Sequence, residues 1–107
     1  SVSRRMRRAK LRGLREEARR ILLQTAHIFN VREGLFADGG LDRLRGEGVP
    51  YPALIKVAGG NTPPMSSSDP YRQSLEGKPD AVLTRNLNGL KEEGMEVLRR
   101  YRAASRE

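Results

Sequence analysis

The chain has 107 residues, of which 21 are lysine or arginine and 13 are aspartate or glutamate, so its formal net charge is +8. Two phenylalanines, three tyrosines and no tryptophan leave few large side chains for a core. The absence of cysteine excludes disulfides and thiol nucleophiles. No apolar run approaches the roughly 18 residues that a transmembrane helix needs.

The positive charge is concentrated at one end of the sequence. Residues 1–20 carry nine basic and two acidic side chains, whereas residues 21–107 are almost neutral. Arginine outnumbers lysine by seventeen to four, and a guanidinium group binds phosphate in a bidentate fork. This bias favours a phosphate-rich partner, although a GC-rich genome also enriches arginine codons.

Residues 1–30 are predicted to be a basic arm that continues into an amphipathic helix. An apolar seam recurs at steps of three and four residues. Its members are Leu11, Leu14, Ala18, Ile21 with Leu22, Thr25 and Phe29. Beside it runs an arginine rail, about 21 Å long at 1.5 Å per residue, made of Arg5, Arg8, Arg12, Arg15 and Arg19. Asn30 ends the strong periodic pattern.

Residues 31–79 are predicted to be an extended linker rich in glycine and proline. Leu41 and Leu44 suit one short helical turn, and residues 53–58 form a candidate strand that would pair with another chain or run extended. Residues 61–79 hold Pro63-Pro64, three consecutive serines and Asp69-Pro70, all of which oppose regular structure.

Residues 80–107 are predicted to form a second amphipathic helix, with Asp80 as its N-cap after Pro79. Its apolar positions also alternate at steps of four and three, and they are Leu83, Leu87, Leu90, Gly94, Val97 with Leu98, and Tyr101. The fold class is therefore mainly α, with two long helices and little independent core. The two seams favour antiparallel pairing, although each helix could instead dock on a neighbouring protein.

The sequence offers little for catalysis, and we expect no enzyme. His27 is the only histidine; it has no acidic neighbour in the sequence, so we expect a partly buried structural residue. Glu92, Glu93 and Glu96 suit a solvated helix face. No catalytic residue, metal site or cofactor is predicted.

The functional signal is the basic cluster, which is predicted to bind the phosphate backbone of nucleic acid with little sequence preference. The predicted binding residues are Arg4, Arg5, Arg7, Arg8, Lys10, Arg12, Arg15, Arg19 and Arg20. A soluble helix with a charged outer face is the simpler alternative. It explains less well why the charge has one sign and occupies one fifth of the chain.

Three functions fit these features. The first is a small structural subunit of a large ribonucleoprotein, such as a ribosome or a mitochondrial ribosome, that binds ribosomal RNA and neighbouring proteins. The second is an accessory subunit of a respiratory or other protein-only complex, with the basic helix on acidic subunits or anionic lipid. The third is a protein that binds filaments or microtubules. The arginine-rich start favours the mitochondrial matrix or another organelle, with the cytoplasm as the alternative.

Overall fold

Two long helices dominate the computed structural model, which describes residues 2–34, 48–60 and 65–106. Helix α1 spans Val2–Glu33 and helix α4 spans Asp80–Ser105. Two short helices lie between them, α2 at Tyr51–Val57 and α3 at Pro70–Leu75. The prediction of a mainly α protein with two long helices is confirmed.

Helices α1 and α4 pack against each other in antiparallel orientation. At one end Arg32 Nε donates to Asp80 Oδ1 at 3.0 Å, and in the middle Arg20 Nη2 lies 3.3 Å from Glu93 Oε1. Residue numbers thus fall along α1 as they rise along α4, which confirms the expected pairing. Because these ion pairs are exposed, they each contribute little to stability. Burial of the two apolar seams supplies most of it.

The core is built from the two seams together with residues of α2 and α3. From the long helices it includes Leu14, Ala18, Ile21, Leu22, Ile28, Leu83, Leu87, Leu90, Val97 and Leu98. Leu54 of α2 and Leu75 of α3 are both at most 2% exposed and complete this cluster. The molecule measures 50 × 23 × 21 Å, and its long dimension is close to the length of α1, about 48 Å at 1.5 Å per residue.

The predicted strand at 53–58 is wrong, because Tyr51–Val57 is helical. Pro52 stands in the first turn of α2, where its missing N–H would have had no helical partner. Leu54 and Val57, three residues apart, are both buried and lie on one side of the helix. Packing against α1 and α4 therefore outweighs the β-preference of the apolar run.

The predicted linker at 61–79 is also wrong in part, because it contains α3. Asp69 caps this helix, accepting a hydrogen bond from the backbone N–H of Tyr71 at 2.8 Å, and Pro70 is its first residue. An Asp-Pro pair that opposes regular structure inside an element is well suited to begin a helix. The short helical turn predicted around Leu41 and Leu44 lies outside the described residues.

The predicted ends of the long helices also need correction. Helix α1 continues past Asn30 to Glu33, and Asn30 is buried. Pro79 occupies the N-cap position of α4. The carboxylate of Asp80 instead accepts hydrogen bonds from Arg32 and from Thr84. The burial of Asn30 and the contact between Asp80 and Arg32 both depend on tertiary packing, which a local pattern does not reveal.

Candidate nucleic-acid interface

The first nine described residues of α1, 2–10, are all exposed to solvent, and we call them the N-terminal arm. Leu11 is half-buried, and Leu14 is the first buried residue of the helix. Helix α4, which packs against α1, ends at this level. Its last turn, around Ala103 and Ala104, lies beside Lys10 and Leu14. The arm is about 13 Å long.

The stripe that is apolar in the packed part of α1 becomes basic in the arm. Counting back from Ala18 through Leu14 and Leu11, the same alternation of four and three residues reaches Arg7 and Arg4. The change from arginine to leucine falls where α4 ends. The arm therefore lacks the apolar stripe that a longer partner helix would bury.

The first four members of the arginine rail are presented to solvent. Arg5, Arg8, Arg12 and Arg15 are all exposed. None of the four makes a hydrogen bond or ion pair with another described residue. Their guanidinium groups can therefore meet an external anion without first breaking an internal hydrogen bond or ion pair. The remaining basic residues of the arm, Arg4, Arg7 and Lys10, are exposed as well.

The last two predicted binding residues make hydrogen bonds to other parts of the protein. Arg19 Nε donates to the carbonyl oxygen of Ala58, at the end of α2, at 3.3 Å. Arg20 contacts Glu93 and also donates to Gln24 at 3.1 Å. Both side chains remain partly exposed. The freely presented part of the rail thus ends at Arg15, and Arg19 and Arg20 tie α1 to α2 and α4.

The structure adds a second basic group, which is not among the predicted binding residues. The last turns of α4 carry Arg99, Arg100, Arg102 and Arg106, all exposed. Antiparallel packing brings this end of α4 beside Lys10, Gly13 and Leu14 of α1. The signal was present in the sequence, because the predicted antiparallel pairing places the C-terminal arginines at the same end as the arm.

Glu96 orients two of these arginines. Arg99 Nε and Arg100 Nε donate to its carboxylate at 2.9 and 3.1 Å, and Arg99 Nη2 donates as well. The hydrogen bonds from Arg99, with those from Arg100, lower the pKa of Glu96 to about 2. Both Nη groups of Arg100 remain available as donors, so the pair can still bind a further anion.

A groove lies where the ends of α1 and α4 meet, with a volume of about 550 Å³. It is lined by Lys10, Gly13, Leu14, Glu17, Arg99, Arg100, Ala103 and Ala104. A Cβ atom added at Gly13 would meet nothing within 4 Å, so the groove is open above this residue. Its floor is made of small or apolar side chains, and most of its rim is basic.

The arm also carries a narrow apolar strip on another face. Val2, Met6 and Ala9 follow helical spacing, and Val2 and Met6 are 71% and 60% exposed. Among the described residues only Met95 is another large apolar side chain with comparable exposure. The arm is thus basic on most of its circumference and apolar on the remainder.

His27 lies at a different place, between α1 and the start of α3. It is completely buried, more than predicted, and its Nε2 lies 3.8 Å from Asp69 Oδ2, an acid forty-two residues away in the sequence. Neither ring nitrogen makes a hydrogen bond. Burial lowers the pKa of His27, while the charge of Asp69 opposes this shift.

Comparison of the chain with protein-family models, curated proteins and solved structures gave no match. Residues 2–34, 48–60 and 65–106 contain no helix that is both long and apolar enough to cross a membrane. Within the same ranges no three His, Cys, Asp or Glu side chains converge as metal ligands do. The candidate site therefore rests on charge, exposure and the geometry of the helix ends.

Proposed function

We propose that this protein is a small structural subunit of a large ribonucleoprotein, such as a ribosome or a mitochondrial ribosome, where α1 contacts ribosomal RNA. The arm and the first four arginines of the rail lie along the RNA backbone. The packed part of α1, with α2, α3 and α4, forms the small body that neighbouring proteins contact. The protein carries out no reaction in this proposal.

The exposure of residues 2–10 on every face of a continuous helix carries the proposal. A rod with basic side chains around most of its circumference can enter a cleft between phosphate backbones and neutralise charge on more than one side. Guanidinium groups suit this task because they form bidentate hydrogen bonds with phosphate. The C-terminal arginines of α4 extend the same basic surface.

The test is whether the native particle that contains this chain also contains RNA. Particles carrying the tagged full chain are purified, divided, and incubated with ribonuclease or with heat-inactivated enzyme. We expect ultraviolet absorbance typical of nucleic acid in the untreated sample and release of the chain from large particles after digestion. A particle that lacks RNA and keeps the chain after digestion would refute the proposal.

The exposed Val2 and Met6 favour a second candidate, an accessory subunit of a protein-only or membrane complex. An amphipathic helix with apolar residues on one face and arginine on the other can lie on anionic lipid. The apolar strip is narrow, however, and its largest exposed members are only these two side chains. Vesicles with and without phosphatidylserine test this candidate. It predicts binding to the anionic vesicles that Met6→Ser weakens, whereas the first candidate predicts that Met6→Ser leaves RNA binding unchanged.

A further inference from the structure

We propose that the groove between the ends of α1 and α4 holds one unpaired nucleotide of the bound RNA. The inference rests on the proposed function and deepens it. It assigns single-stranded RNA, or a base extruded from a helix, as the preferred partner. The rail alone would not distinguish such a strand from a duplex, because it meets only phosphates.

The floor of the groove suits a flat ring. Gly13 has no side chain, and Ala103 and Ala104 contribute only methyl groups, so helix α1 and helix α4 border a slot that small residues leave open. Leu14 supplies the buried apolar base of the slot and is 7% exposed. Apolar contact with the two faces of a base is available there, and every base has such faces.

The rim suits the charged part of a nucleotide. Lys10 stands on the α1 side, and Arg99 and Arg100 stand on the α4 side. The carboxylate of Glu96 accepts hydrogen bonds from the Nε atoms of both arginines, at 2.9 and 3.1 Å. These bonds orient the two side chains and leave Arg100 Nη1 and Nη2 available as donors. Guanidinium planes also stack on unpaired bases. Among the described residues that line the groove, Glu17 is the acidic one, and it suits the amino groups of a base edge.

The combination of an apolar slot and a basic rim selects the nucleotide over other occupants. A neighbouring protein helix would have to place acidic side chains against Lys10 on one side and the arginines on the other. A nucleotide supplies both an apolar face and negative charge in one unit, since a phosphate precedes and follows each nucleoside along the strand. The groove also adjoins the N-terminal arm at Lys10, so one strand can contact both.

Gly13→Leu tests the inference because it fills the slot without changing any charge. Leucine is a better helix former than glycine, and its Cβ meets nothing within 4 Å. Gly89→Leu is the matched control, because Gly89 is an exposed glycine of α4, away from the groove, whose added Cβ also meets nothing. Ala103→Leu fills the slot from the opposite wall. Circular dichroism confirms that each full-length variant is folded.

The affinities of the wild type and the three variants are measured for an oligouridine and for an RNA duplex of equal length, at the same salt concentration. We expect Gly13→Leu and Ala103→Leu each to weaken oligouridine binding about tenfold, the effect of losing one stacked base. Duplex binding should stay unchanged, as should both affinities of Gly89→Leu.

Equal oligouridine binding by wild type and Gly13→Leu would overturn the inference and leave the proposed function standing. A groove covered by a neighbouring protein gives this same result. Equal losses for oligouridine and duplex would also overturn it, because the groove would then affect phosphate contacts alone. If the wild type bound neither RNA, the inference and the proposed function would fall together.

Discussion

The two halves of helix α1 share one periodicity and have opposite environments. In residues 14–30 the stripe at three- and four-residue steps is apolar and buried, with Ala18, Ile21 and Leu22 fully inaccessible to solvent. In residues 2–10 the same stripe is arginine, and every residue is exposed. The comparison teaches that the amphipathic pattern alone does not define the core, because burial also depends on where the partner helix ends.

The difference extends to the arginines themselves. Arg8 and Arg15 belong to the same rail as Arg19, yet of these three only Arg19 makes a hydrogen bond to the end of α2, where it donates to the Ala58 carbonyl. An isolated helix as short as the arm is marginal in water. The arm can remain helical because it continues a helix that is already nucleated and packed. The packed half of α1 thus stabilises the helical conformation of the arm, and the arm supplies the positive charge.

The largest expected contrast comes from inserting a polar side chain into each half. Ile21→Ser should lower the free energy of unfolding by about 3–5 kcal/mol, because it removes a fully buried side chain and buries a hydroxyl group. Met6→Ser, in the arm, should change it by less than about 0.5 kcal/mol, because that side chain is exposed. Urea denaturation followed by circular dichroism measures both. Similar losses would show that the arm is also part of the core.

A second contrast uses pH and concerns only the packed half. Burial lowers the pKa of His27, so the unfolded chain binds a proton more readily than the folded one. Stability is therefore full above about pH 6.5 and decreases as the pH falls below it, by at most about 1.4 kcal/mol per pH unit. His27→Leu should be less sensitive between pH 7 and pH 5, as urea denaturation at the two values will show. An unchanged pH dependence would mean that His27 titrates normally.

A third contrast compares two glycines. Gly13 is exposed and an added Cβ meets nothing, whereas a Cβ at Gly94 would lie 3.1 Å from Leu54 Cδ1. Gly13→Ala should raise stability by about 0.5–1 kcal/mol through helix propensity. Gly94→Ala should lower it by about 1 kcal/mol, because overpacking exceeds that gain. Thermal unfolding of both variants gives the comparison. A stabilising Gly94→Ala would show that α2 can move away from α4.

The sequence predicted the long helices well because their apolar residues recur over many turns. It failed in the middle of the chain, where signals were short. The Asp69-Pro70 pair predicts a break in regular structure, although Pro70, like Pro52, stands in the first turn of a helix. Leu54 and Leu75 stabilise the two short helices by packing on the long helices. A short window of sequence does not reveal such contacts.

The candidate site was predictable in composition and only partly in geometry. Exposure of Arg5, Arg8, Arg12 and Arg15 followed from the helix pattern. The internal contacts of Arg19 and Arg20 did not, because their partners Ala58 and Glu93 are distant in the sequence. The position of the α4 arginines beside the arm follows directly from the predicted antiparallel pairing of the two long helices. The groove depends on where two helices end, to within one turn, and helix ends are the least certain feature of a sequence pattern.

The most direct test of the account is the salt dependence of RNA binding by two variants with equal net charge. In one, Arg5, Arg8, Arg12 and Arg15 become glutamine. In the other, glutamine replaces Lys56, Lys78, Arg85 and Lys91, which lie outside the arm and the groove and make no ion pair with described residues. We expect the rail variant to keep its helicity and to lose about three units of the slope of log affinity against log salt. The second variant should keep nearly the wild-type slope. Equal loss of slope in both would show that net charge, rather than the rail on α1, binds the RNA.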